Sequence, residues 1–496
     1  MNRPITGMNF IDGQWVAGAG VEGTRRSPSD DSLVWQGNWA TVEQVDAAID
    51  AAKMAFPAWS ETSLEERMAL CKKFAEIVSE RKDELAQLIA IENGKPLWEA
   101  KTEVAASIAK VANSIDAIMQ RRWTTTEQIG DFMAVTRFRP HGVMFVIGPF
   151  NFPSHVPGGH IIPSLLAGNT VLFKPSEMVP ATGQWLVEAW EKAGLPAGVL
   201  NLLQGTGEVG ARAVERDDVD GVLFTGSQKV GTLLHRQMAG QPHRVLALEM
   251  GGNNPLVVHN SSDLRSAAIT TILSAFITAG QRCTCSRRLI VTGEEAYQGI
   301  IEQLLELVPQ IRAGRSLDDP QPFMGPLIHA KAAEQMLAGE SKLLAAGGKS
   351  LLSMQQHSDT PALVRPALIA LPSNIELEDE EFFGPLLMIQ QADDLDHAIQ
   401  LAGNTKYGLS AGFIGDEVDH FHYFLHRVRA GVINWNRQTT GASGKLPFGG
   451  VGLSGNHHPS GFFAADYCSY PIASLESHEL SEASKPVPGL EFSNAN

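Results

Sequence analysis

Residues 279–288, AGQRCTCSRR, hold two of the chain's four cysteines, Cys283 and Cys285, one residue apart and flanked by arginines. Three chemistries use neighbouring cysteines. A structural zinc site wants four ligands, usually in C-x₂₋₄-C pairs. No second pair accompanies this one, so no metal is expected. A redox motif wants two intervening residues, whereas only Thr284 intervenes here, which makes a vicinal redox switch a minor reading. A nucleophile wants a partly exposed, electropositive setting that favours the thiolate, and Arg282 adjoins Cys283. This stretch alone leaves ordinary packed cysteines level with a nucleophile. Cys71 shares helical spacing with Met68, Phe74 and Val78 and reads as core, and Cys468 is also read as packing.

Other stretches suit a dinucleotide. GVLFTGSQKVG (221–231) runs an apolar strand into Gly226 and Ser227, with Gly231 at the start of a helix. Backbone N–H groups and a hydroxyl at a helix N-terminus suit a diphosphate, although a plain strand–helix turn is commoner for so short a pattern. FKPSE (173–177) ends another strand, where Lys174 and Glu177 are placed to bond ribose hydroxyls. A carboxylate there favours NAD over NADP, because it repels a 2′-phosphate. GTGEVG (205–210) matches G-x-G-x-x-G but lacks the acidic residue about 20 positions on, so it is weak.

The elements that must position these groups alternate. Residues 42–57 and 64–95 read as helices, broken at NGKP (93–96). The runs 142–150, 169–175, 198–204 and 221–227 are apolar without polar alternation, as in strands buried on both faces. ATGQWLVEAWEKAGLP (181–196) reads as a crossover helix. That combination predicts an α/β fold with a parallel sheet covered by helices. A second α/β series follows LALEMGGNNP (246–255). Within it, residues 263–280 read as a helix from an Asp263 N-cap to a Gly280 stop, and RRLIV (287–291) as a strand. The cysteine pair therefore falls on a loop between helix and strand.

The 496 residues exceed one hydrophobic core, so two or three domains are expected. The net charge of −16 disfavours nucleic acid and anionic lipid. No apolar run is long enough to span a membrane and no signal-like apolar region opens the chain, so the expected compartment is the cytoplasm.

Seven stretches, in order, resemble the aldehyde dehydrogenase superfamily over nearly the whole chain: GPFNFP (148–153), FKPSE, FTGSQKVG (224–231), LEMGGNNP (248–255), GQRC (280–283), EEFFGP (380–385) and PFGGVGLSG (447–455). Glu249 and Cys283 lie 34 positions apart, which also fits the family. The resemblance implies a Rossmann-type cofactor domain (1–119 and 142–251), a catalytic domain (252–461) and a bridging β element (120–141 and 462–496) that pairs subunits into a homodimer or a dimer of dimers. It implies Cys283 as nucleophile, Glu249 as general base for hydrolysis, and Asn151 with the Cys283 N–H as oxyanion donors. Toward NAD it implies Lys174, Ser176 and Glu177 near the adenosine ribose, and Gly226, Ser227 and Gly231 near the diphosphate. Glu381 is implied at the nicotinamide ribose, with Phe383 packed nearby, and GTGEVG then lines the adenine side. Phe150 stands where the family usually has tryptophan.

Further stretches, among them NFPSHVPGGHIIP (151–163), NWNRQTTGAS (434–443) and SGNHHPSG (454–461), resemble a bacterial branch of arginine catabolism whose aldehyde substrate carries two carboxylates. Arg282, Thr440, Gly441, Ser443, His155 and His160 are the expected substrate-side residues, with Arg282 and the 440–443 loop ranked highest. The rival expectations are a dehydrogenase of another aldehyde, such as glutamate semialdehyde or a small aliphatic one, and a non-catalytic thiol-sensing relative.

Overall fold

Strands Val143–Ile147, Thr170–Lys174, Gly221–Gly226 and Val245–Met250 are apolar at nearly every position, because both faces of their sheet are covered. In this computed structural model, which describes residues 5–375, 378–478 and 488–489, they form the centre and one edge of a seven-stranded sheet. Successive side chains point to opposite faces. Met144, Val146, Val171 and Phe173 join one apolar cluster, with Ile161 and Leu165 of a covering helix. Phe145, Leu172, Val222 and Leu248 join another, with Ala48, Ile49 and Val209 of helices on the far side. Truncating a fully buried ring such as Phe145 to alanine would cost about 3–5 kcal/mol. The expected parallel pairing holds for these strands, while Asn9–Ile11 and Gln14–Val16 add an antiparallel edge.

A second seven-stranded sheet has the order Lys349–Leu352, Ala367–Leu371, Leu386–Ala392, Ser286–Thr292, Asn254–Val258, Ser410–Ile414, Val432–Trp435. All its pairings are parallel except that of Lys349–Leu352. The chain crosses from the C-terminal end of the first sheet to the N-terminal end of the second between Met250 and Asn254. That short crossing sets the C-terminal strand ends of one sheet against the N-terminal strand ends of the other.

A third, antiparallel sheet joins Thr125–Ile129, Phe132–Pro140 and Ser469–Glu476. Residues 479–487 and 490–496 of the expected bridging stretch lie outside the described residues, and so does nearly all of the terminal segment 482–496.

Two helix expectations are corrected. The stretch 64–95 is two helices, Leu64–Glu80 and Lys82–Asn93. They part at Arg81, whose side chain bonds Glu84 and lies over the Trp185 ring, and no glycine or proline marks the break. The helix expected over 263–280 spans Leu264–Phe276, with Asp263 accepting from the Ser266 N–H as N-cap. A tight turn, Ile277–Gly280, follows, in which Thr278 and Ala279 have φ of 56° and 51°. This is the left-handed region that a β-branched residue rarely enters. Thr278 is held there by the Glu99 carboxylate and by Arg282 Nε at 2.7 Å.

Candidate active site

A cavity of about 1570 Å³ lies where the two sets of strand ends meet. Ligands in open α/β sheets bind outside the carboxyl ends of the strands. The first sheet delivers four groups there. Ile147 leads through Gly148 to Asn151, Lys174 ends one strand, Gly226 and Ser227 end the next, and Glu249 sits opposite Thr225 in register. The second sheet delivers its groups just before two paired strands: Cys283 before Ser286–Thr292, and Glu381 before Leu386–Ala392.

Cys283 is partly accessible to solvent. Burial pushes its thiol up to about 12, with the Glu381 and Glu249 carboxylates adding to the shift and Arg287 opposing it. Its carbonyl accepts from Asn254 Nδ2 at 2.7 Å. Among the described residues, no acceptor takes the Cys283 N–H. Asn151 is buried, and its Nδ2 donates to the Gln281 carbonyl at 2.9 Å, which ties it to the loop carrying Cys283. Its own carbonyl accepts from Lys95 Nζ at 2.6 Å, and Lys95 pairs with Glu103 at 2.7 Å in full burial.

Glu249 is 4% exposed. Its Oε1 accepts from the Ser460 N–H at 3.1 Å, and its Oε2 is buried with no partner among the described residues. Burial raises its carboxyl well above the usual carboxylate range, and the Ser460 contact offsets only part of the shift. Cys285 is fully buried, its Sγ directed at the Ile277 carbonyl at 3.8 Å, and it does not line the cavity. Cys71 and Cys468 are also buried, and all four cysteines are free thiols.

On the cofactor side, Ser227 caps helix Gln228–Gln237, its Oγ accepting from the Val230 N–H, and this helix end opens into the cavity. Ser176 and Glu177 line the cavity at the end of Thr170–Lys174. Lys174 Nζ donates to the carbonyls of Pro175 and Gly205, both at 2.8 Å, and lies 3.7 Å from Glu177 Oε2. Phe383 meets Phe150 edge-on, with centroids 5.9 Å apart. A carboxylate beside a helix N-terminus, with glycines lining both, suits a ribose next to a diphosphate. Gly231 does not line the cavity. It packs beneath Met250 and Phe224, where any Cβ would overlap the Met250 sulfur, so its place is structural. Gly441 also lies outside the lining, while Thr440 and Ser443 belong to it.

The substrate-side expectations divide. Arg282 reaches the cavity, but its Nη2 is 2.6 Å from Glu99 Oε1. His160 bonds Tyr467 Oη at 2.8 Å and Thr225 Oγ1 at 3.1 Å, so both ring nitrogens are occupied. His155 lines the cavity with its Nδ1 unpartnered among the described residues. Burial holds its pKa near 3, with Lys110, Lys95 and Arg282 lowering it further.

Arg287 was missed. It is fully buried and donates to the carbonyls of Gly280 (2.6 Å) and Arg282 (3.0 Å) while pairing with Glu381. The available signal was a pair of charges opening the otherwise apolar strand SRRLIVT. Arg288, beside it, binds the carbonyls of Asn253, Leu401 and Ala402. Among the described residues, no group of three His, Cys, Asp or Glu side chains is placed to hold a metal ion. No helix of the described residues is long and apolar enough to cross a membrane.

The sequence profile of the aldehyde dehydrogenase family matches residues 15–470. An N-succinylglutamate 5-semialdehyde dehydrogenase from Acinetobacter baylyi is 48% identical over 97% of this chain and 98% of its own. One of the same name from Serratia proteamaculans is 48% identical over 97% and 99%. A solved 1-pyrroline-5-carboxylate dehydrogenase from Thermus with bound NAD superposes with a TM-score of 0.90 at 29% identity, over 95% of this chain and 93% of that one.

Proposed function

The chain belongs to the aldehyde dehydrogenase family, and from that membership we propose that it oxidises N-succinylglutamate 5-semialdehyde to N-succinylglutamate with NAD⁺, in arginine degradation. The observation that carries the proposal is the convergence of Cys283, Glu249 and Asn151 on one cavity, in a chain 48% identical to enzymes of that name over nearly their full length. The Cys283 sulfur attacks the aldehyde carbon as its thiol proton leaves to solvent, and the carbonyl electron pair moves onto oxygen. Asn151 Nδ2 and the free Cys283 N–H stabilise that oxyanion. A bound NAD⁺ would supply the hydride acceptor that lets this carbon be oxidised. The carbon is then a thioester on Cys283. Glu249 takes a proton from water, the water oxygen adds to the thioester, and the thiolate departs to leave the acid.

For the cofactor, Glu381 holds the nicotinamide ribose against Phe383. Ser227, beside Gly226, receives the diphosphate. Lys174, Ser176 and Glu177 hold the adenosine ribose, and the Glu177 carboxylate selects NAD⁺ by repelling a 2′-phosphate. On the substrate side, Arg282 offers N–H donors without net charge, since Glu99 neutralises it, and the Thr440–Ser443 loop offers hydroxyls. Residues 1–119 and 142–251 form the cofactor domain, 252–461 the catalytic domain, and 120–141 with 462–496 the bridge, to which the third sheet belongs. That sheet leaves Ile129, Phe132 and Leu475 exposed, which suits pairing with a second copy. Free thiols throughout suit the reducing cytoplasm.

The test follows NADH formation from N-succinylglutamate 5-semialdehyde, wild type against Cys283→Ala. Loss of all turnover in the variant, and a preference for NAD⁺ over NADP⁺ in the wild type, are expected. A wild type inert toward this aldehyde yet active on a small aliphatic one would sink the substrate assignment.

A further inference from the structure

Most buried charges around the cavity are matched. Lys95 pairs with Glu103, Arg282 with Glu99 and Arg287 with Glu381. Lys174 lies 3.7 Å from Glu177 and gives two of its three donors to carbonyls. Lys110 differs. It lies on helix Leu97–Arg121, is 6% exposed, and lines the cavity. Among the described residues, no hydrogen bond or ion pair is made by its Nζ, which is not sealed within the protein and opens onto the cavity. A buried ammonium without a counter-charge is destabilising. Burial brings it down to about 8, which still leaves it largely cationic near neutrality.

Its surroundings do not supply the missing anion. From the facing helix His155–Ala167, His155 and His160 are both held neutral, with pKa near 3, and Lys110 contributes to each shift. Gly159 of that helix leaves the space open, since a Cβ there would stand 3.7 Å from Nζ. On its own helix, Glu103 is the carboxylate on the same cavity wall. Its Oε2 is taken by Lys95 and its Oε1 by the N–H groups of Ser154 and His155. The cavity wall therefore carries an uncompensated positive charge beside an unpartnered imidazole nitrogen.

We propose that Lys110 is the anchor for a carboxylate of the substrate, the one at the far end of the succinyl arm. The inference rests on the diacid reading above. Glu103 Oε1 accepts from the Ser154 N–H, three residues past Asn151, and Lys110 lies seven residues further along the Glu103 helix, about 10 Å in axial rise. In an extended N-succinylglutamate 5-semialdehyde the remote carboxylate is eight bonds from the aldehyde carbon, a reach of roughly 10 Å. The anion gives the cation a counter-charge, and an aldehyde without it leaves the ammonium in the cavity without one. Lys110 thus selects for the remote carboxylate, while Arg282, already neutralised, contributes shape and hydrogen bonds.

The experiment compares wild type, Lys110→Met and Lys110→Arg on three aldehydes: the N-succinyl substrate, N-acetylglutamate 5-semialdehyde and pentanal. For Lys110→Met, kcat/KM on the N-succinyl aldehyde should fall about 30-fold more than on either of the others, mainly through KM, with partial recovery in Lys110→Arg. Pentanal turnover and thermal unfolding report whether the variants fold, and Lys110→Gln serves if the thioether disturbs packing. Equal losses on all three aldehydes, equal losses on the two acids, or no selective loss would overturn the assignment. A wild type that does not use the N-succinyl aldehyde would instead overturn the substrate reading, so the two failures are distinguishable.

Discussion

Arg287 Nη2 stands 3.4 Å from Glu381 Oε1 and 3.0 Å from the carbonyl of Arg282, so one buried guanidinium holds both the cofactor-side carboxylate and the loop carrying the nucleophile. Removing it strands Glu381 and frees the carbonyls of Gly280, Arg282 and Gly384 at once. Arg287→Met is expected to lose about 3 kcal/mol or more of stability, read by denaturant unfolding. It should also raise the KM for NAD⁺. A variant of wild-type stability and unaltered cofactor binding would show that the bridge is dispensable.

With Glu249 as the proposed hydrolytic base, the reaction is expected to show an acid limb set by this carboxyl. A base whose carboxyl is raised by burial loses its active form as pH falls, at a higher pH than an ordinary carboxylate would. Turnover should therefore rise with pH through an apparent pKa well above the carboxylate range. Glu249→Gln should remove that limb and slow steady-state turnover about a hundredfold or more. Stopped-flow NADH traces separate the steps: hydride transfer persists as a single burst, and release from the thioester is what fails. Loss of the burst itself would assign Glu249 to thiol activation.

Arg282 is coupled to Glu99 across the helix–loop boundary. Arg282→Met leaves Glu99 buried and unpaired and should cost about 3–5 kcal/mol. Its kinetic loss should fall on acidic and neutral aldehydes alike. The double variant Glu99→Gln/Arg282→Met should regain much of the melting temperature. A loss confined to the diacid would return Arg282 to the role of charge anchor.

Gly280 closes the turn before the nucleophile with φ of 72°, and a Cβ there would overlap the Gly384 carbonyl. Gly280→Ala should cost about 1–3 kcal/mol from conformation alone and displace Cys283. Alkylation kinetics of Cys283 beside urea unfolding would read both effects.

Cys285 directs its sulfur at Ile277, away from the cavity. Cys285→Ser should keep most of its turnover under reducing conditions, and near-complete loss would give this thiol a part in the chemistry.

The α/β class, the strands of the first sheet and the loop position of Cys283 were legible because apolar runs and glycine-flanked turns are local signals. The break at Arg81 and the early end of the helix at Phe276 were not. Both depend on partners distant in the chain: Trp185 for Arg81, and Glu99 for Thr278.

The sequence by itself placed Cys283, Glu249 and Asn151 in short motifs whose order and spacing are visible without coordinates, and the resemblance of those motifs to a family carried their expected roles. Only the tertiary structure decided which cations are free to act. Arg282 reads as a substrate anchor beside its cysteine, yet Glu99, 183 positions away, has neutralised it. Lys110 drew no reading from the sequence, yet packing places it against a glycine and two neutral histidines. Charge is a property of a residue, but its availability depends on burial and pairing, and these are set by contacts that span the chain.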